Sequence, residues 1–288
     1  MSVNALANNV RTIAQYVLIA ALMIISTYSS AQSTEEAKAE AEADLLLEQQ
    51  DYAGAEKKYT QILTKSKGVS TNPQLFYKRA YAYFGLEQFN NALKDLNLYL
   101  EKNPSDLQAK LLRANVYLGQ GDADNALNDI DALILVNPNP ELLRWRVSVA
   151  MEAGKFKIAQ QDILTLLNQE QSPELEAYLG LTYYYQDKQD SAMFIFNSVI
   201  KKYPEYVQSY LYAGSLCLEA GEYDLALEYI NKGLRLEPGN ETLLFYKGAT
   251  LVEKPERVNE GCRCLMKAFT AGFDDAADYL KEYCYGVE

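Results

Sequence analysis

The chain has 288 residues and contains no histidine, one tryptophan and four cysteines. Without histidine, the Ser-His-Asp and Cys-His catalytic arrangements, histidine-ligated zinc and an imidazole pH switch are all excluded. The four cysteines are too few for a disulfide-dense scaffold. Gly-rich phosphate loops, nucleophile elbows and metal-binding motifs are also missing from the sequence. We therefore expect a protein that is not an enzyme and that has no catalytic residues, no cofactor and no metal.

Positive charge is scarce as well. The sequence has 27 Lys and Arg residues against 39 Asp and Glu residues, which gives a net charge of -12. A surface of that sign repels phosphate backbones, so we expect no nucleic-acid partner. Hydrophobic residues nevertheless make up 49% of the chain, enough to build an extensive core.

Residues 1–31 have the pattern of a secretory signal peptide. They contain one base, Arg11, and no acid, followed by an apolar run over residues 17–25 and the small residues Ser29 and Ala31. We predict cleavage after Ala31 and export of the mature chain to the periplasm, the cell envelope or the medium. The alternative is an uncleaved anchor, but the apolar run is shorter than the roughly 20 residues that span a membrane. Membrane contact is expected only through this segment.

The remainder of the chain is a repeat of 33 to 37 residues. Four columns keep the same phase. An alanine recurs at Ala55, Ala92, Ala126, Ala159, Ala192 and Ala226. Four residues later a large side chain recurs at Tyr59, Leu96, Ile130, Ile163, Phe196 and Ile230. Twelve residues earlier lie Ala43, Ala80, Ala114, Val147, Gly180 and Gly214. Prolines close four units at Pro104, Pro138, Pro204 and Pro238. Each unit therefore predicts two amphipathic helices whose apolar stripes are buried only by stacking on neighbouring units.

These units resemble the tetratricopeptide repeat, and residues 121–138 and 221–238 match its pattern closely. The resemblance implies an all-α, right-handed solenoid over residues 33–272, with about seven helix-turn-helix units. We place the units at 36–72, 73–106, 107–139, 140–172, 173–206, 207–240 and 241–272, the first and last being irregular. In the last unit, Gly261 or Cys262 replaces the recurring alanine. The chain is similar to exported tetratricopeptide proteins of Gram-negative bacteria, in which a final helix caps the last unit, here within residues 273–288.

The cysteines fit export to an oxidising compartment. Cys217 falls on the core side of its helix and is predicted to be buried. Cys262 and Cys264 point to nearly opposite faces of one helix, so neither is expected to bridge the other. A disulfide between Cys262 and Cys284 is predicted, with Cys264 as the alternative partner of Cys284.

Three units share a charge pair with a spacing of sixteen residues. The pairs are Arg79 with Asp95, Arg113 with Asp129, and Arg146 with Asp162. We interpret them as partly buried structural ion pairs, either within each unit or from each Asp to the Arg of the next unit. The alternative is a row of arginines that binds a carboxylate ligand.

In the family, the first helix of each unit lines a concave groove. Transferred by phase, the candidate partner-binding residues are Tyr77, Tyr81, Phe84, Leu111, Asn115, Leu118, Arg144, Ser148, Met151, Leu181, Tyr184, Tyr185, Leu211, Ser215 and Leu218. This set is aromatic and aliphatic, which suits an extended peptide or an amphipathic helix. We therefore predict a non-catalytic adaptor or scaffold that binds a protein or peptide partner in the cell envelope. The alternatives are a glycan-binding or small-molecule-binding solenoid and a structural spacer without a groove ligand. The sequence does not indicate an oligomeric state.

Overall fold

A computed structural model describes residues 34–65 and 72–284, and the predicted signal peptide lies outside these ranges. Within them the chain forms fifteen α-helices and no strand, which confirms the all-α prediction. The chain divides into two compact units, residues 1–142 and 143–288. None of the helices in the described ranges has the length and apolar character needed to cross a membrane.

The first unit contains three helical hairpins. Their helices are α1 (Thr34–Glu48), α2 (Tyr52–Lys65), α3 (Gln74–Gly85), α4 (Phe89–Lys102), α5 (Leu107–Gly119) and α6 (Ala123–Val136). The two helices of each hairpin pack on each other. Within this unit, the second helix of each hairpin also packs on the first helix of the next hairpin. The connection after Lys65, which the sequence predicts to be extended, falls largely on residues outside the described ranges.

The second unit begins within α7 and has the same alternation. Its helices are α7 (Pro140–Glu152), α8 (Phe156–Leu167), α9 (Pro173–Tyr184), α10 (Gln189–Lys202), α11 (Val207–Glu219), α12 (Tyr223–Leu236), α13 (Glu241–Val252), α14 (Val258–Thr270) and α15 (Ala276–Tyr279). A short 3₁₀ helix, Pro255–Arg257, precedes α14. The first helices of successive hairpins also contact each other directly, α9 with α11 and α11 with α13. These contacts make one continuous face of first helices.

The recurring columns form the core of each hairpin. Every recurring alanine from Ala55 to Ala226 is fully buried, and so is the large residue four positions later. The small residue twelve positions earlier leaves room for that large side chain. A Cβ atom at Gly180 would lie 2.4 Å from the Phe196 ring, which explains why glycine stands there. In the seventh hairpin Gly261 takes the alanine position, because Leu265, four residues later, is fully buried.

Helix ends follow local chemistry. Asp106 caps α5 by accepting hydrogen bonds from the backbone N–H groups of Gln108 and Ala109. Ser172 and Asn240 cap α9 and α13 in the same way. The helices α4, α6, α10 and α12 each end two residues before a proline, as expected where proline disfavours helical backbone in the preceding residue.

The final segment packs on the last hairpin but is not one continuous α-helix. The sequence predicts a capping helix from about Asp274 to Cys284, whereas the structure has the four-residue α15 followed by a π-helical turn, Leu280–Cys284. Phe273 and Tyr279 of this segment both contact the Phe245 ring, with centroids 4.6 and 5.0 Å away. The wider turn ends on Cys284, the residue bonded to α14.

Candidate functional site

The three predicted Arg–Asp pairs lie within their own hairpins. Arg113 Nε donates to Asp129 Oδ2 and Nη2 donates to Oδ1, both at 2.8 Å. The Arg79–Asp95 and Arg146–Asp162 pairs have the same two-pronged geometry, at 2.7 to 2.8 Å. All three carboxylates are buried. Because each guanidinium is held by its own aspartate, these arginines do not form a row open to a carboxylate ligand.

A buried charge cluster in the first unit went unnoticed in the sequence. Lys78 is only 4% exposed, and its ammonium group donates to Glu40 Oε1 at 2.6 Å and to Asp44 Oδ2 at 2.8 Å. The Tyr59 hydroxyl donates to the other oxygen of Asp44 at 2.5 Å. The sequence does indicate an unusual charge here, because Lys78 occupies the repeat position that Leu112 fills in the next unit. The cluster joins α3 to the irregular first hairpin, so we assign it to folding and not to binding.

In the first unit two of the six predicted groove residues are buried. Tyr77 and Tyr81 are each 8% exposed, so they do not line an open surface as predicted. Tyr81 packs against Tyr52 of the preceding hairpin, and Tyr77 packs against Tyr99 of its own hairpin. Both rings therefore pack between helices, although their repeat positions predicted that they line the groove. The other members in this unit are half-buried: Phe84, Leu111, Asn115 and Leu118.

In the second unit the predicted residues divide into three groups. Leu211 is buried against Leu243, so it too belongs to the core. Arg144 is exposed and forms an ion pair with Glu170. Tyr185 is 52% exposed. The remaining members are half-buried: Ser148, Met151, Leu181, Tyr184, Ser215 and Leu218.

Tyr184 and Tyr185, at the C-terminal end of α9, are the centre of an aromatic cluster that also includes Phe156, the first residue of the second helix α8. The Tyr185 ring stacks on Phe156 with centroids 4.8 Å apart and planes 12° from parallel. It meets the Tyr184 ring edge-on at 5.0 Å. The Tyr184 hydroxyl donates to Glu219 Oε2 at 2.6 Å, and that hydrogen bond, followed by burial, raises the pKa of Tyr184. These contacts hold both rings in place while leaving Tyr185 open to a partner.

The cluster extends past Glu219 of α11 to α13. Tyr246 lies on α13, where burial first, then the nearby Glu219 carboxylate, raises the pKa of its hydroxyl. Beyond it, Glu253 accepts a hydrogen bond from the Tyr283 hydroxyl at 3.4 Å. We call Phe156, Tyr184, Tyr185, Glu219, Tyr246 and Glu253 the aromatic–acidic surface.

The cysteines occupy two settings. Cys262 and Cys284 form a disulfide with Cα atoms 5.7 Å apart, which ties the final turn to α14, while Cys264 is free. Cys217 is 1% exposed, and burial raises the pKa of its thiol to about 11, so little thiolate exists near neutral pH. Among the described residues, no group of three or more His, Cys, Asp or Glu side chains could hold a metal ion.

Comparisons with known proteins agree with this geometry. The Tetratricopeptide repeat family matches residues 40–106, 77–142, 111–159 and 178–241. The chain belongs to the tetratricopeptide repeat family. Proteins with these repeats are generally non-catalytic scaffolds.

Two solved tetratricopeptide repeat structures share the fold. One, from Parabacteroides merdae, is 19% identical to this chain and has a TM-score of 0.56. The superposition covers 86% of this chain and 98% of the Parabacteroides merdae chain. The C-terminal part of a repeat protein from Cytophaga hutchinsonii is also 19% identical, with a TM-score of 0.58, and covers 83% of this chain and 98% of its own.

A TPR repeat-containing protein of Methanocaldococcus jannaschii is 24% identical over 225 residues. That alignment includes 72% of this chain but spans only 39% of the relative's length.

Alignment of the tetratricopeptide units reveals one further column, seven residues before the recurring alanine. It reads Gly85, Gly119, Glu152, Tyr185 and Glu219, and Glu253 lies at the corresponding end of α13. In the first unit the two glycines leave room for a ring of the preceding hairpin, since a Cβ at either would lie 2.5 Å from Tyr52 or Phe89. In the second unit the column carries exposed acids and an exposed tyrosine. The same repeat position thus makes room for an aromatic ring in the first unit and carries exposed side chains in the second.

Proposed function

We propose that this tetratricopeptide repeat chain is a non-catalytic adaptor that binds a peptide segment of a partner protein through the aromatic–acidic surface. The observation that carries the proposal is the half-exposed Tyr185 ring, held between Phe156 and Tyr184 on the face of first helices. A ring fixed by its neighbours offers a large contact area and loses little conformational entropy when a partner binds.

We further propose that the chain is exported and acts in the cell envelope. Two observations support this location. Residues 1–31 have the composition of a signal peptide, and the Cys262–Cys284 disulfide is of a kind that persists in oxidising compartments. Accumulation of the reduced, uncleaved chain in the cytosolic fraction of its native cells would contradict export.

Site-specific photo-crosslinking tests the binding face. A photoreactive phenylalanine analogue replaces Tyr185 in the full chain, and the matched control replaces Phe194, which is 75% exposed on α10, the second helix of the same hairpin. After irradiation in the native cells, we expect a discrete crosslinked partner from position 185 and none from position 194. A partner crosslinked from 194 and not from 185 would move the site to the second helices.

A further inference from the structure

The acids of the aromatic–acidic surface stand where a helix disfavours them. Glu219 is the last residue of α11, and Glu253 directly follows α13. The C-terminal end of a helix carries partial negative charge, so a carboxylate there lowers stability while Lys or Arg raises it. Within the described residues neither acid forms a salt bridge with a Lys or Arg, although Lys254, next to Glu253, pairs with Asp224. The surface therefore holds negative charge that the described part of the chain does not neutralise.

Aromatic rings adjoin this charge. The hydroxyl of Tyr184 holds the Glu219 carboxylate beside the Tyr184–Tyr185 pair. A cation over the exposed face of a tyrosine is attracted to the ring, and a neighbouring carboxylate adds to that attraction. Lysine and arginine satisfy both groups at once, since their alkyl stems lie on rings and their charged ends reach carboxylates.

The spacing of the helices constrains the shape of the partner. Helix α11 contacts α9 on one side and α13 on the other, and packed helices lie roughly 8–10 Å apart. A polyproline II segment rises about 3.1 Å per residue, so every third side chain repeats after about 9 Å on the same face. Such a segment crossing the helices presents one side chain to each helix end.

We propose that the aromatic–acidic surface binds an extended, polyproline-like peptide carrying Lys or Arg at every third position. One basic side chain packs on Tyr185, and the following ones pair with Glu219 and Glu253. This inference rests on the proposed function and names the chemistry of its partner.

Calorimetric titration of the oxidised full chain with three synthetic peptides tests the proposal. The first is proline-rich with lysine at every third position, the second has the same composition with lysine at every second position, and the third replaces lysine with glutamine. We expect the first peptide to bind most tightly. We also expect its affinity to fall when the ionic strength rises from about 0.05 M to about 0.5 M, because the contacts are exposed ion pairs.

Charge-neutralising variants locate the contact. Glu219→Gln keeps an oxygen that accepts the Tyr184 hydrogen bond, and we expect it to weaken binding about two- to fivefold, as for an exposed ion pair. Glu205→Gln is the matched control, because it removes the same charge at the other end of α11, about 20 Å away. Tyr185→Ala is expected to weaken binding about tenfold by removing the ring face, and Phe194→Ala to leave it unchanged.

The outcomes separate the two proposals. If the glutamine peptide binds as tightly as the lysine peptide and only Tyr185→Ala weakens it, the preference for basic peptides is overturned while peptide binding at this surface stands. Equal weakening by Glu205→Gln and Glu219→Gln likewise overturns the specific contact and leaves only a general effect of net charge. If none of the peptides binds, the inference about basic segments fails, and the crosslink at position 185 decides the proposed function independently.

Discussion

At the scale of single residues, the contribution of the Arg–Asp pairs to stability depends on the burial of each charge. Asp129 is 4% exposed, and its carboxylate is desolvated on one side and bound by Arg113 on the other. A buried pair adds little over a well-packed apolar replacement, but removal of one partner leaves the other charge unpaired. The chain itself contains the replacement, since the fifth unit has Leu179 and Ile195 at the two positions.

We therefore predict that Asp129→Asn destabilises the protein more than the double change Arg113→Leu with Asp129→Ile. The expected loss for the single variant is about 2–4 kcal/mol, because Arg113 is partly exposed and retains some hydration. Urea unfolding followed by far-ultraviolet circular dichroism measures both. A double variant less stable than the single one would show that the pair stabilises the fold beyond its own desolvation.

The pairing of each Arg with its Asp could be predicted from the sequence because the spacing of sixteen residues repeats. The exposure of the groove residues could not be predicted. Tyr81 and Tyr185 occupy repeat positions four residues apart, about one helical turn, yet Tyr81 packs against Tyr52 and is buried while Tyr185 is open. Exposure depends on the side chains of the preceding hairpin, which the phase of one helix does not contain. Lys78 is visible in the sequence as a charge at the position of Leu112, but its partners are not, since Glu40 and Asp44 lie on another hairpin.

At the scale of the helical hairpin, the volumes of facing side chains are matched. Gly180 faces Phe196, whereas Ala114 stands at the equivalent position of a hairpin whose large residue is Ile130. Alanine raises intrinsic helix propensity relative to glycine by about 1 kcal/mol, but the added Cβ would lie 2.4 Å from the Phe196 ring.

We predict that Gly180→Ala lowers the free energy of unfolding by about 1–3 kcal/mol, the usual cost of overpacking. Adding Phe196→Leu to Gly180→Ala should recover most of the loss, because the pair then matches Ala80 and Leu96. Gly239→Ala is the control, since no atom lies within 4 Å of its added Cβ. Failure of the Phe196→Leu change to rescue Gly180→Ala would place the strain elsewhere in α9.

The final turn is the second feature at this scale. The bridge between Cys262 and Cys284 closes a loop with a sequence separation of 22 and holds Tyr279 against Phe245. In the chain-entropy description, a loop of that size contributes about 3 kcal/mol.

Cys284→Ser should therefore make the segment after α14 the first site of limited proteolysis and lower the melting temperature. Cys264→Ser should do neither, because Cys264 is free. The same cleavage pattern in both variants would mean that the apolar contacts alone hold the turn.

Element boundaries, the hairpin order and the small–large packing could be read from the sequence because the repeat enforces them many times. The π-helical turn could not, since the capping segment occurs once and has no second copy to compare. The exposed acids Glu152, Glu219 and Glu253 were not predicted either, because in the sequence they differ from the earlier units only by replacing Gly85 and Gly119.

At the scale of the whole molecule, burial raises the pKa of tyrosine hydroxyls in both units. Burial raises the pKa of Tyr81 to about 12 and that of Tyr212 to about 12, above the ordinary value of 10.0. Burial raises the pKa values of Tyr59, Tyr77 and Tyr99 as well. The folded chain therefore holds protons that the unfolded chain releases above about pH 10.

We predict that stability is full below about pH 10 and falls as the pH rises toward 12, by about 1.4 kcal/mol per pH unit for each such tyrosine. Urea midpoints across this range measure the slope. Absorbance of tyrosinate near the ultraviolet edge should rise together with the loss of helix. Titration of all tyrosines with a midpoint near the ordinary value of 10.0, with the helices intact, would contradict the burial of these rings.

We propose that a partner binds the face of first helices in residues 143–284. Hydrogen–deuterium exchange of the full chain, alone and with the partner recovered through position 185, tests it most directly. The account predicts slower exchange in the C-terminal turns of α9, α11 and α13, with α10 and α12 unchanged. Protection confined to α10 and α12 would contradict it.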